Sequence, residues 1–329
     1  MIKITFPDGT AREYKNGISS FEIAEQISPR LAKEVYAATV NGEIRDLTRP
    51  IDHDATLKLH KWEDEAAKLA YWHSSAHLMA EAMESLYPGM KFGIGPAIEN
   101  GFYYDVDPGD GKVITESDLQ TVENRMKELA AKNLTYNRRE VSKKEALYIF
   151  KKKSDEYKTE LINEIADRGE KITTYTCGGF TDLCRGGHTE KPAQEIPPDS
   201  FKLDRVAGAY WRGDEKNKML TRIYGLAFGT KEELDSYLLQ REEAEKRDHK
   251  KLGKELDLFI FSELVGSGLP LWTPKGTILR NLLDNFVWEL REKCGYTKVE
   301  IPHITKKELY EKSGHWDKFK DELFRITTR

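Results

Sequence analysis

Ile2, Ile4 and Phe6 alternate with polar neighbours, the period-two signature of a half-buried strand, and Asp8-Gly9 behind them supplies a hairpin turn. Ser19-Ser20 offers a cap for a short helix running to Ile27. Val40-Asn41-Gly42-Glu43 repeats the hairpin signal, and Thr56-Leu57-Lys58-Leu59 ends this stretch with another alternation. The period then changes. Leu69, Trp72, Ala76, Met79, Met83 and Leu86 recur at helical spacing until Pro88-Gly89, which predicts a helix with one apolar stripe. Phe102-Tyr103-Tyr104-Asp105-Val106 reads as a strand. Residues 115–132 read as an amphipathic helix capped by Thr115 or Ser117, and residues 143–152 and 157–165 as two more helices. Thr173-Thr174-Tyr175-Thr176-Cys177 is strand-like, and residues 201–211 and 220–228 form a hairpin over the polar turn at 213–217.

Residues 230–254 turn to Glu, Lys, Arg and Leu without Pro, which predicts one long, exposed connecting helix. Beyond it come a helix at 277–294, a strand at 296–301 ending at Pro302, and a new strand at 323–327. The chain is thus expected to be multidomain and α+β. Residues 1–61 form a ubiquitin-like β-grasp, 62–228 an α+β domain with a mainly antiparallel sheet, and 229–254 a linker helix. Residues 255–329 look like the start of a further domain. Length supports this division, since 329 residues exceed one ordinary domain.

Composition narrows the class. A hydrophobic content of 39% with 33% charged residues leaves ample core for a soluble protein, and no run approaches the eighteen or so apolar residues of a membrane span. The opening is a strand pattern rather than a signal peptide. Three cysteines (Cys177, Cys184, Cys294) are too few and odd in number for a disulfide framework, so a reducing cytoplasm is expected. A net charge of −4 argues against nucleic-acid binding through overall basicity. Arg138-Arg139, Lys143-Lys144 and Lys151-Lys152-Lys153 could still form a local basic track, or simply a solvated helix face.

Chemistry concentrates at two places. Trp72-His73-Ser74-Ser75-Ala76-His77 puts two imidazoles one helical turn apart on one face. Asp182-Leu183-Cys184-Arg185-Gly186-Gly187-His188 adds a thiol and a third imidazole, again four residues apart. Such a set can hold zinc or perform acid–base work, and spacing alone leaves both open. Its members are costly to desolvate and poor core filler, so they mark a candidate active site. His53 and His60 stand alone and read as surface histidines. Lys91-Phe92-Gly93-Ile94-Gly95-Pro96 is Gly-rich but lacks the GxxxxGK[ST] pattern, so no phosphate role is assigned to it.

These stretches together resemble the N-terminal half of the bacterial threonyl-tRNA synthetase family. The likeness rests on His73-Ser74-Ser75-Ala76-His77, on Ile94-Gly95-Pro96 with Asn100-Gly101-Phe102-Tyr103-Tyr104-Asp105, on the 182–188 stretch and on Ala209-Tyr210-Trp211-Arg212-Gly213-Asp214. Lys246-Arg247-Asp248-His249, residues 276–302 and Ser313-Gly314-His315-Trp316 extend it. It implies that 1–61 is a TGS domain, 62–228 an editing domain and 255–329 the start of a class II synthetase core, cut before its second and third motifs. Gly187 stands where the family commonly has Pro, which should loosen the approach to His188.

The resemblance implies a parent enzyme that ligates threonine to tRNA(Thr) using ATP with Mg and a catalytic Zn, all through residues beyond 329. It implies that this chain carries the proofreading hydrolysis of Ser-tRNA(Thr), with no cofactor of its own. His73 would position or deprotonate the water and Lys158 would assist. His77, Cys184 and His188 would complete the catalytic wall, while Asp182 and Tyr104 bind substrate. The expected partner is the acceptor end of tRNA(Thr), with no DNA and no membrane, in the cytoplasm; the parent is expected to be a homodimer. Zinc at His73, His77, Cys184 and His188 is the less favoured alternative to a metal-free pocket. The rival functions are a zinc-dependent hydrolase acting on a small substrate and a non-catalytic RNA-binding fragment.

Overall fold

Ile2 and Ile4 face inward from strand Ile2–Thr5, which lies beside the central strand of a five-stranded sheet. That strand pairs antiparallel with Ala11–Tyr14 and parallel with Ala55–Lys61; Val35–Val40 and Glu43–Arg45 continue the sheet. Helix Ser20–Ile27 starts at a capping box in which the Ser19 and Glu22 side chains each accept from the other's backbone amide. Ile23 from this helix joins Ile4, Val40, Leu47, Ile51 and Leu57 in one core. This is the expected β-grasp, with a parallel pair at its centre. His60 departs from its reading as a surface histidine. It is 4% exposed and bonds Thr39 Oγ1 through Nε2 at 2.7 Å; it lies on the face of its strand opposite Ala55 and Leu57, and the cover over that second face outweighs the preference of a lone histidine for water. These coordinates are a computed structural model that describes residues 1–109, 112–132, 134–189, 196–266, 268–319 and 322–326.

Helix Glu65–Leu86 is buried on nearly every side between Ala67 and Met83, not along one stripe. It packs against helix Glu116–Ala130, strands Gly101–Asp107 and Phe180–Leu183, and the β-grasp strand Val35–Val40. Small residues permit this crowding. Ala67, Ala70, Ala80 and Ala82 let neighbours approach, and the Ser74 and Ser75 hydroxyls are absorbed by the carbonyls of Ala70 and Tyr71, both at 2.9 Å. The sheet beneath runs Phe201–Tyr210, Met219–Ala227, Gly101–Asp107, Lys91–Phe92, entirely antiparallel, with Ala97–Ile98 on the edge. A smaller sheet orders Asn137–Val141, Ile172–Cys177 and Phe180–Leu183. Arg138 and Arg139 therefore belong to a strand rather than to a helix face.

The chain forms two compact units, Met1–Glu242 and Glu243–Arg329. The long connecting helix expected over 230–254 is two helices, Lys231–Lys246 and His249–Glu255. The Asp248 side chain accepts from the amides of Lys250 and Lys251, so it caps a new helix instead of continuing the old one. In the second unit, helix Pro274–Lys293 begins three residues before the expected start, capped by Thr273. The strands expected at 296–301 and 323–327 are not formed among the described residues; Thr327 lies outside them. A strand needs a ladder partner, and the described pairing in this unit is Phe259–Ile260 with Leu271–Trp272. Among the described residues no helix is long and apolar enough to cross a membrane.

Candidate active site

His73 and His77 project from the central helix with rings stacked 4.8 Å apart and Nε2 atoms separated by 3.0 Å. Strand Phe180–Leu183 and the loop after it bring up the other cluster. Cys184 Sγ lies 3.1 Å from His73 Nε2 and 3.3 Å from His188 Nε2, and it accepts from the Gly186 amide at 3.2 Å. Residues more than a hundred apart in sequence thus form one group. Asp182 points from the strand to a second cluster. Its Oδ1 is 2.6 Å from Lys158 Nζ, its Oδ2 accepts from the Tyr104 hydroxyl, and Lys158 Nζ also donates to Tyr104 Oη at 3.0 Å. His77 Nδ1, 3.6 Å from Asp182 Oδ2, joins the two clusters.

Local structure explains these placements. Lys158 sits in the first turn of helix Glu156–Asp167, whose cap Asp155 accepts from both the Lys158 and Phe92 amides. That carboxylate ties the helix to the strand preceding the Gly-rich loop. Gly95 must be glycine here, because a Cβ would lie 2.3 Å from the Tyr104 ring. The loop therefore seats the tyrosine.

Burial sets the protonation states. It pushes the His73 imidazole down to about 4 against the opposing charges of Asp182 and Asp46. His77 falls to about 3, for the same reason and through its neighbour His73, and His188 is also held well below its ordinary value. All three rings are neutral bases near pH 7. Burial pushes the Cys184 thiol far up, so it is no thiolate nucleophile. For Asp182 burial acts upward, but Lys158 foremost, with His77 and Tyr104, brings the net value below the ordinary carboxylate.

A cavity of about 480 Å³ opens onto this group, lined by His73, His77, Tyr104, Lys158, Asp182 and Cys184. Six of the seven residues singled out from the sequence meet there. His188, at 1% exposure, stands behind Cys184 and instead lines a smaller neighbouring cavity beside Asp46. The basic track of Arg138-Arg139 and the later lysines contributes nothing to the main cavity's wall; Arg168, Lys171 and Arg185 do. Sequence reasoning also missed Tyr136, stacked on His188 at 4.0 Å, and Ser74, which accepts from the Thr189 amide at 2.9 Å. Ser74 could have been flagged, as a polar residue between two histidines on an apolar helix. Tyr136 carried no local signal.

The His73, His77, Cys184 and His188 donors all lie within 4.8 Å of one another, close enough to surround a zinc ion. Their outer contacts fit less well. A metal-bound imidazole almost always donates its second nitrogen to an acceptor, whereas His188 Nδ1 is buried with no partner among the described residues.

Residues 2–61 match the TGS domain, and residues 172–224 match the threonyl and alanyl tRNA synthetase second additional domain. The chain therefore carries a TGS domain and a stretch that matches the second additional domain of threonyl and alanyl tRNA synthetases. More particularly, it resembles threonine–tRNA ligases throughout. It is 58% identical to that of Porphyromonas gingivalis over 325 residues, 99% of this chain and 49% of the relative. It is 56% identical to that of Parabacteroides distasonis and 54% to that of Cytophaga hutchinsonii, each over 98% of this chain and 49% of the relative. The chain spans about half the length of the curated relatives it matches.

Proposed function

We propose that this chain hydrolyses the ester joining serine to tRNA(Thr), proofreading a parent enzyme that ligates threonine to that tRNA with ATP. The observation that carries this reading is the cavity where neutral His73 faces the Lys158–Asp182–Tyr104 cluster, with Asp182 and Cys184 supplied by the stretch 172–224 that matches the threonyl and alanyl tRNA synthetase second additional domain. Threonine exceeds serine by one methyl, a difference worth only about 1–3 kcal/mol in a pocket. A synthetic site alone therefore leaks, and a second site that admits serine and excludes the methyl removes the error. Similarity over nearly the whole chain to tRNA ligases counts against the small-substrate hydrolase and the non-catalytic reading.

In this mechanism the acceptor end of tRNA(Thr) enters past Arg168, Lys171 and Arg185, cations suited to its phosphates. Asp182 keeps a negative charge in the cavity for the seryl ammonium, and Tyr104 braces that carboxylate. His73, kept unprotonated by burial, accepts a proton from water as its oxygen attacks the ester carbonyl, then returns it to the departing ribose oxygen. Lys158 lies beside the reacting centre as a hydrogen-bond donor; His77, Cys184 and His188 shape and orient the wall. These steps use the chain's own groups. A zinc ion held by the four donors would supply an acidified water in place of the histidine base, and the orphaned His188 Nδ1 favours the metal-free reading. ATP, Mg and a catalytic Zn belong, in this reading, to parts of the parent outside these 329 residues. In this reading the parent works in the cytoplasm as a homodimer.

The test is to offer the 329-residue protein Ser-tRNA and Thr-tRNA of the threonine acceptor and follow deacylation. Hydrolysis of the seryl ester alone is expected, and His73→Ala should slow it by about 10²–10⁴-fold while leaving tRNA affinity nearly unchanged. Equal hydrolysis of both esters, or an unimpaired His73→Ala variant, would refute the proposal.

A further inference from the structure

One carboxylate that reaches the candidate site does not come from the editing-type region. Asp46 lies in the β-grasp, in the turn between strands Glu43–Arg45 and Pro50–Ile51, and is 8% exposed. Its Oδ1 accepts from the amides of Gly187 at 3.0 Å and His188 at 2.8 Å, and its Oδ2 accepts from Tyr175 Oη at 2.5 Å. Both oxygens are thus committed more than a hundred residues away, Oδ1 to the loop that carries Cys184 and His188 and Oδ2 to Tyr175 on strand Ile172–Cys177.

That loop needs an external anchor. Residues 185–188 belong to no strand or helix, and Gly186 and Gly187 sit at φ +100° and +83°, where the chain is most permissive. A Cβ at Gly186 would lie 2.1 Å from Tyr175 Oη and 3.1 Å from Asp46 Oδ2, so the loop backbone rests directly on this pair. Amide bonds to a buried carboxylate are charge-assisted and short, roughly twice as strong as neutral ones.

We propose that Asp46 is a positioning residue of the hydrolytic site: a β-grasp carboxylate that clamps the 184–188 loop and holds Cys184 and His188 against His73. The proposal rests on the hydrolytic reading above. It makes the N-terminal module part of the active site rather than a separate appendage. Asp46 touches no reacting atom; it acts through the loop.

The test uses Asp46→Ala, Asp46→Asn and Asp46→Glu in the 329-residue protein. For each, kcat and KM of Ser-tRNA deacylation and hydrogen exchange of the Gly187 and His188 amides are measured. Displacements of about 1 Å in a catalytic arrangement cost on the order of 10²-fold. Asp46→Ala is therefore expected to lower kcat about 10²-fold, keep KM within about twofold and expose both amides to exchange. Asp46→Asn keeps a carbonyl oxygen for the two amides and should stay within about threefold of the parent. Asp46→Glu, which displaces the carboxylate by one methylene, should lower kcat as the alanine does, and it decides the question should the alanine variant not fold. A wild-type kcat in the alanine or glutamate variant overturns the proposal. So does an asparagine variant as impaired as alanine, or a loss of kcat with both amides still protected. If the parent protein itself fails to hydrolyse Ser-tRNA, the functional reading falls, while amide exchange still decides whether Asp46 clamps the loop.

Discussion

Replacing Lys158 with Met removes the one ammonium group that, among the described residues, lies within bonding distance of a nearly sealed carboxylate. The Lys158 and Asp182 side chains are 4% and 2% exposed, with Nζ and Oδ1 2.6 Å apart. Met preserves the apolar stem, so the loss is one of charge. Asp182 then keeps the Tyr104 hydroxyl and the Leu183 amide at 2.7 Å, neither of which neutralises it. Breaking a buried pair from one side costs about 3–5 kcal/mol, because an uncompensated charge remains. A unit of the size of Met1–Glu242 loses about 2–4 °C of Tm per kcal/mol, so the drop should be roughly 6–20 °C. Asp182 escapes by protonating: its pKa moves from below the ordinary carboxylate value to above it. The folded variant then binds more protons than the unfolded chain, so its deficit should shrink as the pH falls from about 7 towards 4. Thermal and urea unfolding followed by circular dichroism read both effects. The double variant Lys158→Met/Asp182→Asn, which removes the stranded charge, should recover at least half the loss. A deficit under about 1 kcal/mol, or a double variant no better than the single, would show that this pair is not the buried electrostatic unit described.

The remaining predictions concern the thiol–imidazole group. Protein purified without a His-tag should contain well under one zinc per chain, chelator should leave deacylation unchanged, and Cys184→Ser should reduce it without erasing it. One equivalent of zinc, lost in step with activity, would reverse the metal-free reading. Burial holds His73 near 4 and His77 near 3, whereas unfolded histidine titrates near 6.5. Between those values the unfolded chain binds more protons, so stability should fall as the pH is lowered from about 7 to 5.5, and His77→Gln should flatten that slope. A wild-type Tm constant over that interval would contradict the buried neutral imidazoles.

Periodicity and caps carried much of the fold. The β-grasp strands, the capped helix at Ser20–Ile27 and helix Lys143–Lys152 follow from alternation, hairpin turns and Ser-x-x-Glu boxes, all local signals. Side-chain chemistry carried much of the candidate site: two imidazoles, a thiol, a third imidazole and a carboxylate, in motifs long enough to resemble a family. What stayed hidden was whatever depends on a distant partner. Tyr296 to Ile301 has the composition of a strand, but composition cannot provide the neighbour that makes one. The central helix reads as one-sided because its alanines and serines count as neutral in any pattern; contact with elements on every side made them core. Asp46 looked like any turn aspartate after a hairpin, and only the approach of residues 186–188 gave its two oxygens their partners. The sequence by itself determined which groups were available and which segments could form alone. The tertiary structure decided which groups share one buried volume, because desolvation and hydrogen bonding act between neighbours in space and leave no periodicity in the chain.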